Sequence, residues 1–230
     1  MRKSIESIEK QTFKEVEVWV IDGGSSKEIL NYLEGLKKPF FYQSGIDKGI
    51  YDAMNKGIHL AKGEWLYFLG AGDRLYNNTI LENVFKSLKK DCFLIAGKIV
   101  YQGNHKPFVY SKSKMIKNVH WSKRMWLTNG LHHQGTFYKK ELFKERDYAL
   151  NYKILADYHF NLKLLKNKIK CNILPLKIAK CNSDGVSKIG SWQLYQEEIN
   201  LKTDLTSVVL RPVFYIVALL KFLSRKIVND

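Results

Sequence analysis

Cysteine is scarce in this 230-residue chain: Cys92, Cys171 and Cys181 stand alone and far apart. Three scattered thiols exclude a disulfide framework and a CxxC metal site. They read instead as buried, reduced cysteines of a cytosolic protein. Long hydrophobic runs are missing too. The longest uncharged apolar stretch, residues 212–220, falls far short of the ~20 residues that a membrane-spanning helix needs. The opening Met1-Arg2-Lys3-Ser4-Ile5-Glu6 is charged and holds no apolar core segment, so no signal peptide is expected. A soluble or peripheral protein is the expectation. Acid is the third shortage: 22 Asp and Glu face 38 Lys and Arg, a formal charge of +16 with pI near 9.6. Such an excess favours a nucleic acid, an anionic membrane or a phosphorylated substrate. The basic residues are spread in pairs such as Lys37-Lys38 and Lys139-Lys140, with no Arg-rich arm, zinc-finger spacing or RNA-binding aromatic signature. No nucleic-acid partner is expected.

What is present suffices for a sizeable core, since 45% of the residues are hydrophobic. Residues 5–11 read as the tail of a short helix. Residues 16–21 (VEVWVI) form a β-rich run, apolar in its second half, that suits a strand buried on both faces. The turn Asp22-Gly23-Gly24-Ser25-Ser26 follows and can cap a helix beginning near Lys27. A second strand is predicted over 40–43 and a helix over 48–61. That helix carries Ile50, Met54, Ile58 and Ala61 on one stripe and Lys48, Asp52, Asn55 and His59 on another. Gly63 stops it ahead of a third strand over 65–69. This alternation predicts an α/β fold with a mostly parallel sheet flanked by helices. Further on, helices are predicted over 79–88, 156–165 and 191–204, and strands over 93–101, 135–138 and 170–174. A hairpin returns through 108–110, and 181–190 is a polar loop. Such domains usually open on an apolar strand, whereas this chain starts on a helix. Either the sheet lacks its first strand, beside 16–21, or the true start lies upstream.

Ligands of open α/β sheets bind beyond the carboxyl ends of the strands. Asp22 and Asp73 occupy such places, the latter closing Gly70-Ala71-Gly72-Asp73. Taken alone, Asp22 reads equally as a turn or cap acid and Asp73 as a plain strand-end turn. The polar stripe of 48–61 reads most simply as a solvated face. Asp157 sits near the start of its helix, where the macrodipole favours an acid. The pair His132-His133 lacks the spacing of a dedicated metal site.

Taken together, residues 17–26, 47–57, 68–73, 133–138 and 156–158 give the chain a specific likeness. It resembles the inverting GT-A glycosyltransferases of family 2, most closely the bacterial branch that builds surface polysaccharides, over about residues 1–190. The resemblance implies a nucleotide-sugar donor, with Asp22 and Gly23 at the nucleoside. It sets Lys48, Asp52 and Asn55 beside the donor: Lys48 on a phosphate, Asp52 on a hydroxyl or another site group. Asp73 would hold a divalent cation, Mg²⁺ or Mn²⁺, and His133 would bind the diphosphate or complete the cation's shell. Asp157 would be the catalytic base. The chain departs from the family in one place: relatives often carry two or three acids in a DxD-like turn, and here only Asp73 remains. Residues 182–187 (NSDGVS) read as a lid or as an ordinary surface loop.

Residues 208–226 place Arg211, Lys221, Arg225 and Lys226 within about 140° of one helical wheel, with mostly apolar residues elsewhere. This amphipathic C-terminal helix suits a membrane interface, or packing on the domain or on a second subunit. The expected division is a GT-A-like domain over 1–190 and a helical, membrane-associating segment over 191–230. The expected function is sugar transfer to a glycan or lipid-linked acceptor in cell-surface polysaccharide biosynthesis. It would take place in the cytoplasm, peripheral at the inner face of the cell membrane. The alternative is a non-catalytic, transferase-like module acting as a basic, membrane-associated partner.

Overall fold

The computed structural model describes residues 1–103, 115–183 and 190–229. After α1 (Arg2–Glu9) the chain alternates as the sequence predicts: β1 (Val18–Asp22), α2 (Lys27–Glu34), β2 (Phe40–Ser44), α3 (Ile50–Leu60) and β3 (Trp65–Tyr67). Then come β4 (Arg74–Leu75), α4 (Ile80–Lys86), β5 (Leu94–Gln102), β6 (Ile116–Lys117), β7 (Thr136–Lys139), α5 (Ala156–Lys166) and β8 (Cys171–Asn182). Two helices, α6 (Trp192–Leu205) and α7 (Arg211–Asn229), end it. The hairpin expected through 108–110 and most of the polar loop at 181–190 lie outside the described residues.

The α/β class holds, but the strands form two sheets and the larger is mixed rather than mostly parallel. β1 and β2 pair in parallel from Val18↔Phe40 to Asp22↔Ser44. The six-stranded sheet runs β3-β7-β5-β8-β4, with β6 on β5. Only its β5–β8 pair is parallel; β3–β7, β5–β7, β4–β8 and β5–β6 are antiparallel. Local alternation orders the elements, whereas β3 finds its partner far downstream, a choice that no local pattern encodes. β8 also outruns the strand predicted over 170–174. It passes Pro175 through a register irregularity, because Ile173 pairs with Ala96 and Lys177 with Lys98. A residue without an N–H is tolerated at such a bulge.

The main core gathers Met54 and Ile58 of α3, Leu94 and Ala96 of β5, Phe160, Leu162 and Leu164 of α5, and Leu201 and Leu205 of α6. Each Leu, Ile, Met or Phe side chain among these, fully buried, contributes about 1.5–3 kcal/mol. The rings of Phe143 and Phe160 stack within it at 4.5 Å. α6 therefore belongs to the same core, although residues 191 onward were expected to stand apart. α7 packs on α6 through Phe214, Ala218 and Phe222, against Trp192, Tyr195 and Ile199.

Asn55 departs from the solvated stripe assigned to it. It is 7% exposed, donating to the Tyr148 carbonyl through Nδ2 at 2.9 Å and accepting the Tyr148 N–H at Oδ1, also at 2.9 Å. The amide thus satisfies a loop main chain inside an apolar setting, as a buried peptide group requires. It fixes the 143–148 loop onto α3 rather than facing a donor. Asn55→Ala should cost about 2 kcal/mol or more, since it strands two buried main-chain groups, and urea unfolding measures the loss.

Candidate active site

β1 delivers Asp22 at its carboxyl end, 7% exposed. Oδ2 accepts the Gly24 N–H at 3.2 Å, the Ser25 N–H at 3.0 Å and the Ser44 hydroxyl at 2.7 Å. Burial alone would raise its pKa; the bonds from Ser25, Ser44 and Gly24 overcome it and hold the carboxyl down to about 2. Beside it Gly23 is exposed, and a Cβ there would stand 3.1 Å from Asp47 Oδ2. The turn after β1 and the loop before α3 therefore meet. Asp47 pairs with Lys56, and Asp52 accepts the Lys48 N–H at 3.0 Å. That bond makes Asp52 a capping acid for the first turn of α3. Lys48 is exposed at the same end.

A second group forms deeper in. Asp73 is 6% exposed; Oδ1 accepts the Asn182 N–H at 2.8 Å and Oδ2 accepts the Gln134 Nε2. Burial wins here over both bonds and the field of His133, and its pKa is raised. Asp157 lies in the first turn of α5 and is equally buried. Oδ1 accepts the Tyr51 hydroxyl at 3.0 Å and the Tyr158 N–H at 2.8 Å, and Oδ2 is 3.2 Å from His133 Nδ1. Burial pushes Asp157 upward as well, but the His133, Tyr51 and Tyr158 bonds more than offset it and hold the acid below the usual carboxylate range. His133 thus acts on both acids, and its ring stacks on His132 at 4.9 Å. His133 links two acids far apart in sequence, bonding Asp157 directly and reaching Asp73 through its field.

Several residues of this group escaped the sequence reading. Gln134 and Gly135 follow His133 in a 3-10 turn (His133–Gly135) whose Gln134 carbonyl accepts the Tyr67 hydroxyl at 2.8 Å. A Cβ on Gly135 would stand 2.7 Å from the Gly97 carbonyl oxygen, so any side chain there would lift the turn off β5. Tyr51 falls between the two stripes of α3, which hid its bond to Asp157. The half-buried Lys117 comes from β6, for which no strand was predicted. Burial pushes its ammonium down to about 8 against the pull of Asp157's charge. Most distant is Glu197 of α6, 9% exposed. It accepts the N–H groups of Lys153 at 2.9 Å, Ile154 at 2.8 Å and Leu155 at 3.1 Å. The Ile154 carbonyl, 2.8 Å from the Tyr51 oxygen, shares that hydroxyl's single proton with Asp157 Oδ1. Glu197 therefore pins the loop that leads into Asp157.

Residues 1–148 match the family model for glycosyl transferase family 2. The chain belongs to this family. Among curated proteins, this family 2 chain is 33% identical over 176 residues to the PGL/p-HBAD biosynthesis glycosyltransferase of Mycobacterium tuberculosis. That match covers 71% of this chain and 63% of the relative, so the chain spans less than two thirds of that protein's length. An uncharacterized glycosyltransferase of the same organism is 28% identical over 192 residues, covering 80% of this chain and 70% of the relative. Among solved structures, S. aureus TarS in complex with UDP-GlcNAc superposes with a TM-score of 0.67 at 16% identity. The superposition covers 97% of this chain and 68% of that one. The mannosyltransferase PcManGT from Pyrobaculum calidifontis, in complex with GDP-Man and Mn²⁺, gives 0.65 at 16% identity, covering 94% of this chain and 64% of that one. At such identities the likeness is one of fold, the GT-A arrangement.

Among the described residues no three His, Cys, Asp or Glu side chains gather as a metal cluster. Asp73 nevertheless fits a divalent cation. Its carboxylate is buried and short of positive charge, and Oε1 of the amide that bonds it, Gln134, is buried without a hydrogen-bond partner among the described residues. If Glu197 is the brace described, Glu197→Ala should speed exchange of the Lys153, Ile154 and Leu155 amides by at least about tenfold in the folded protein. Glu197→Gln should restore part of the protection. Hydrogen exchange resolved by residue measures both, and unchanged protection in the alanine variant would remove the role.

Proposed function

We propose that this chain transfers a sugar from a nucleotide-diphosphate donor to a glycan or lipid-linked acceptor with inversion. In this reading it serves cell-surface polysaccharide biosynthesis at the cytoplasmic face of the membrane. The observation that carries the reading is a buried Asp157 bonded to His133, whose field also reaches the buried Asp73. The glycosyltransferase names of the relatives and the UDP-GlcNAc and GDP-Man complexes of the structural neighbours support it.

In this reading Asp22 and the open backbone at Gly23 receive the nucleoside. A carboxylate held down to about 2 stays charged through the neutral range and accepts charge-assisted bonds from ring N–H groups or ribose hydroxyls. Lys48 meets a donor phosphate at the first turn of α3, where Asp52 holds the loop or meets a hydroxyl. Asp73 and Gln134 Oε1 would hold Mg²⁺ or Mn²⁺, which when bound neutralises charge developing on the leaving diphosphate. His133 bonds Asp157 through Nδ1 and keeps its other ring nitrogen for a diphosphate oxygen. Asp157 takes the proton of the acceptor hydroxyl while that oxygen bonds the anomeric carbon. The bond from this carbon to the diphosphate breaks on the opposite face, so the configuration inverts. Asn55, held by Tyr148, takes no part.

Two outcomes follow from the opposite shifts of the two acids. Asp157 must be ionised to accept a proton and its pKa is lowered. The wild-type rate should therefore fall only below the usual carboxylate range, and Asp157→Asn should lower kcat by about 10²–10⁴ with donor affinity kept. Transfer assays and donor calorimetry measure this, and a variant as fast as wild type sinks the assignment. Asp73, raised by burial, is strained as the anion. Asp73→Asn should therefore raise the Tm of the metal-free protein while lowering metal-dependent turnover at least about tenfold. A lower Tm, or undiminished response to Mn²⁺, would count against the cation role.

A further inference from the structure

α7 has two faces, and they are reversed from what its basic residues suggest. The inward face carries Phe214, Ala218 and Phe222 on α6. Lys221 is on the protein side too, bonding Glu198 and the Leu127 carbonyl. Outward, Val213, Ile216, Leu220, Leu223 and Ile227 recur at steps of three and four residues, each between 46% and 77% exposed. Val208 and Val209 of the preceding 3-10 turn extend the stripe, at 68% and 78% exposed. A contiguous apolar strip of this kind on a soluble surface marks an interaction site.

The charge around the strip selects the occupant. α7 holds four basic residues, Arg211, Lys221, Arg225 and Lys226, and no acid. Residues 120–130 add Lys123 and Arg124 and no Asp or Glu. From that stretch the 3-10 turn Lys123–Trp126 and the exposed Leu127 come up to α7 at the Lys221 bond, with Lys123 and Arg124 exposed. A partner must therefore be apolar against the strip and anionic beside it. A second copy would set one +16 chain against another, which opposes pairing. No helix of the described residues is long and apolar enough to cross a membrane, so α7 is suited to lie along one.

We propose that α7 docks on an anionic bilayer, its Val213–Ile216–Leu220–Leu223–Ile227 strip sunk at the headgroup boundary and Lys123, Arg124 and Lys226 against the headgroups. Docking of this kind holds whether or not the chain transfers a sugar, so the test reads binding alone. The full chain is sedimented with vesicles of phosphatidylcholine, with or without phosphatidylglycerol. Binding is expected to rise at least about tenfold when phosphatidylglycerol is included and to fall with added salt. Ile216→Asp combined with Leu220→Asp should lower binding at least about tenfold without shifting the circular dichroism melt, because both side chains face solvent. Lys123→Glu combined with Arg124→Glu should abolish the preference for phosphatidylglycerol while leaving the strip intact, which tests the charge separately from the apolar face. The proposal is overturned if wild type stays in the supernatant, if the double-Asp variant binds as wild type does, or if the Lys123/Arg124 variant keeps its lipid preference. A solution dimer that the double-Asp change dissociates, with vesicle binding unchanged, would assign the strip to a second copy instead.

Discussion

A carboxylate withdrawn from water must be matched by donors or give up its charge. Asp157 keeps its charge because three donors reach it from different parts of the chain: Tyr51 from α3, His133 from the turn before β7, and the Tyr158 amide of its own helix. Satisfying one acid therefore locks α3, β7 and α5 together. Glu197 repeats the device one step further out, gathering three amides of the loop before α5 and tying α6 to the same centre. The apolar core around Phe143, Tyr148 and Phe160 makes this polar arrangement exacting, since a missing donor would find no water to replace it.

Asp73 meets the same rule with the opposite result. It has two protein donors and the field of His133, and burial still prevails. Two acids under the influence of one histidine are thus driven apart in acidity, one favoured as the anion and the other short of a positive neighbour. Separation of this sort, produced by environment rather than residue type, is how a single fold assigns different tasks to like groups.

The strands that lead into Asp22 and Asp73 were legible in the sequence because each is a short apolar run ending on a turn. α3 and α5 were legible from helical spacing, and His133 and Asp157 from their family-like settings. What was hidden is non-local. The antiparallel partner of β3 is decided by packing, and β8 continues past Pro175 because a bulge removes the need for its N–H. Asn55 reads as polar and therefore solvated, yet its amide pairs with both the N–H and the C=O of Tyr148, in a loop nearly a hundred residues away. The facing of α7 is non-local for a related reason. Lys221 bonds Glu198 and the Leu127 carbonyl on the protein side, partners that no helical wheel reveals.

The contact between Gly135 and Gly97 has a consequence for how such a site can vary. A Cβ at Gly135 would meet both the Gly97 carbonyl oxygen and Ile99 Cγ2, so the height of the His133–Gly135 turn above β5 is set by the β5 main chain together with the buried Ile99 side chain. The turn acts as a fixed stop: chemistry at positions 132–134 is open to change by substituting residues, while the place from which they act is not.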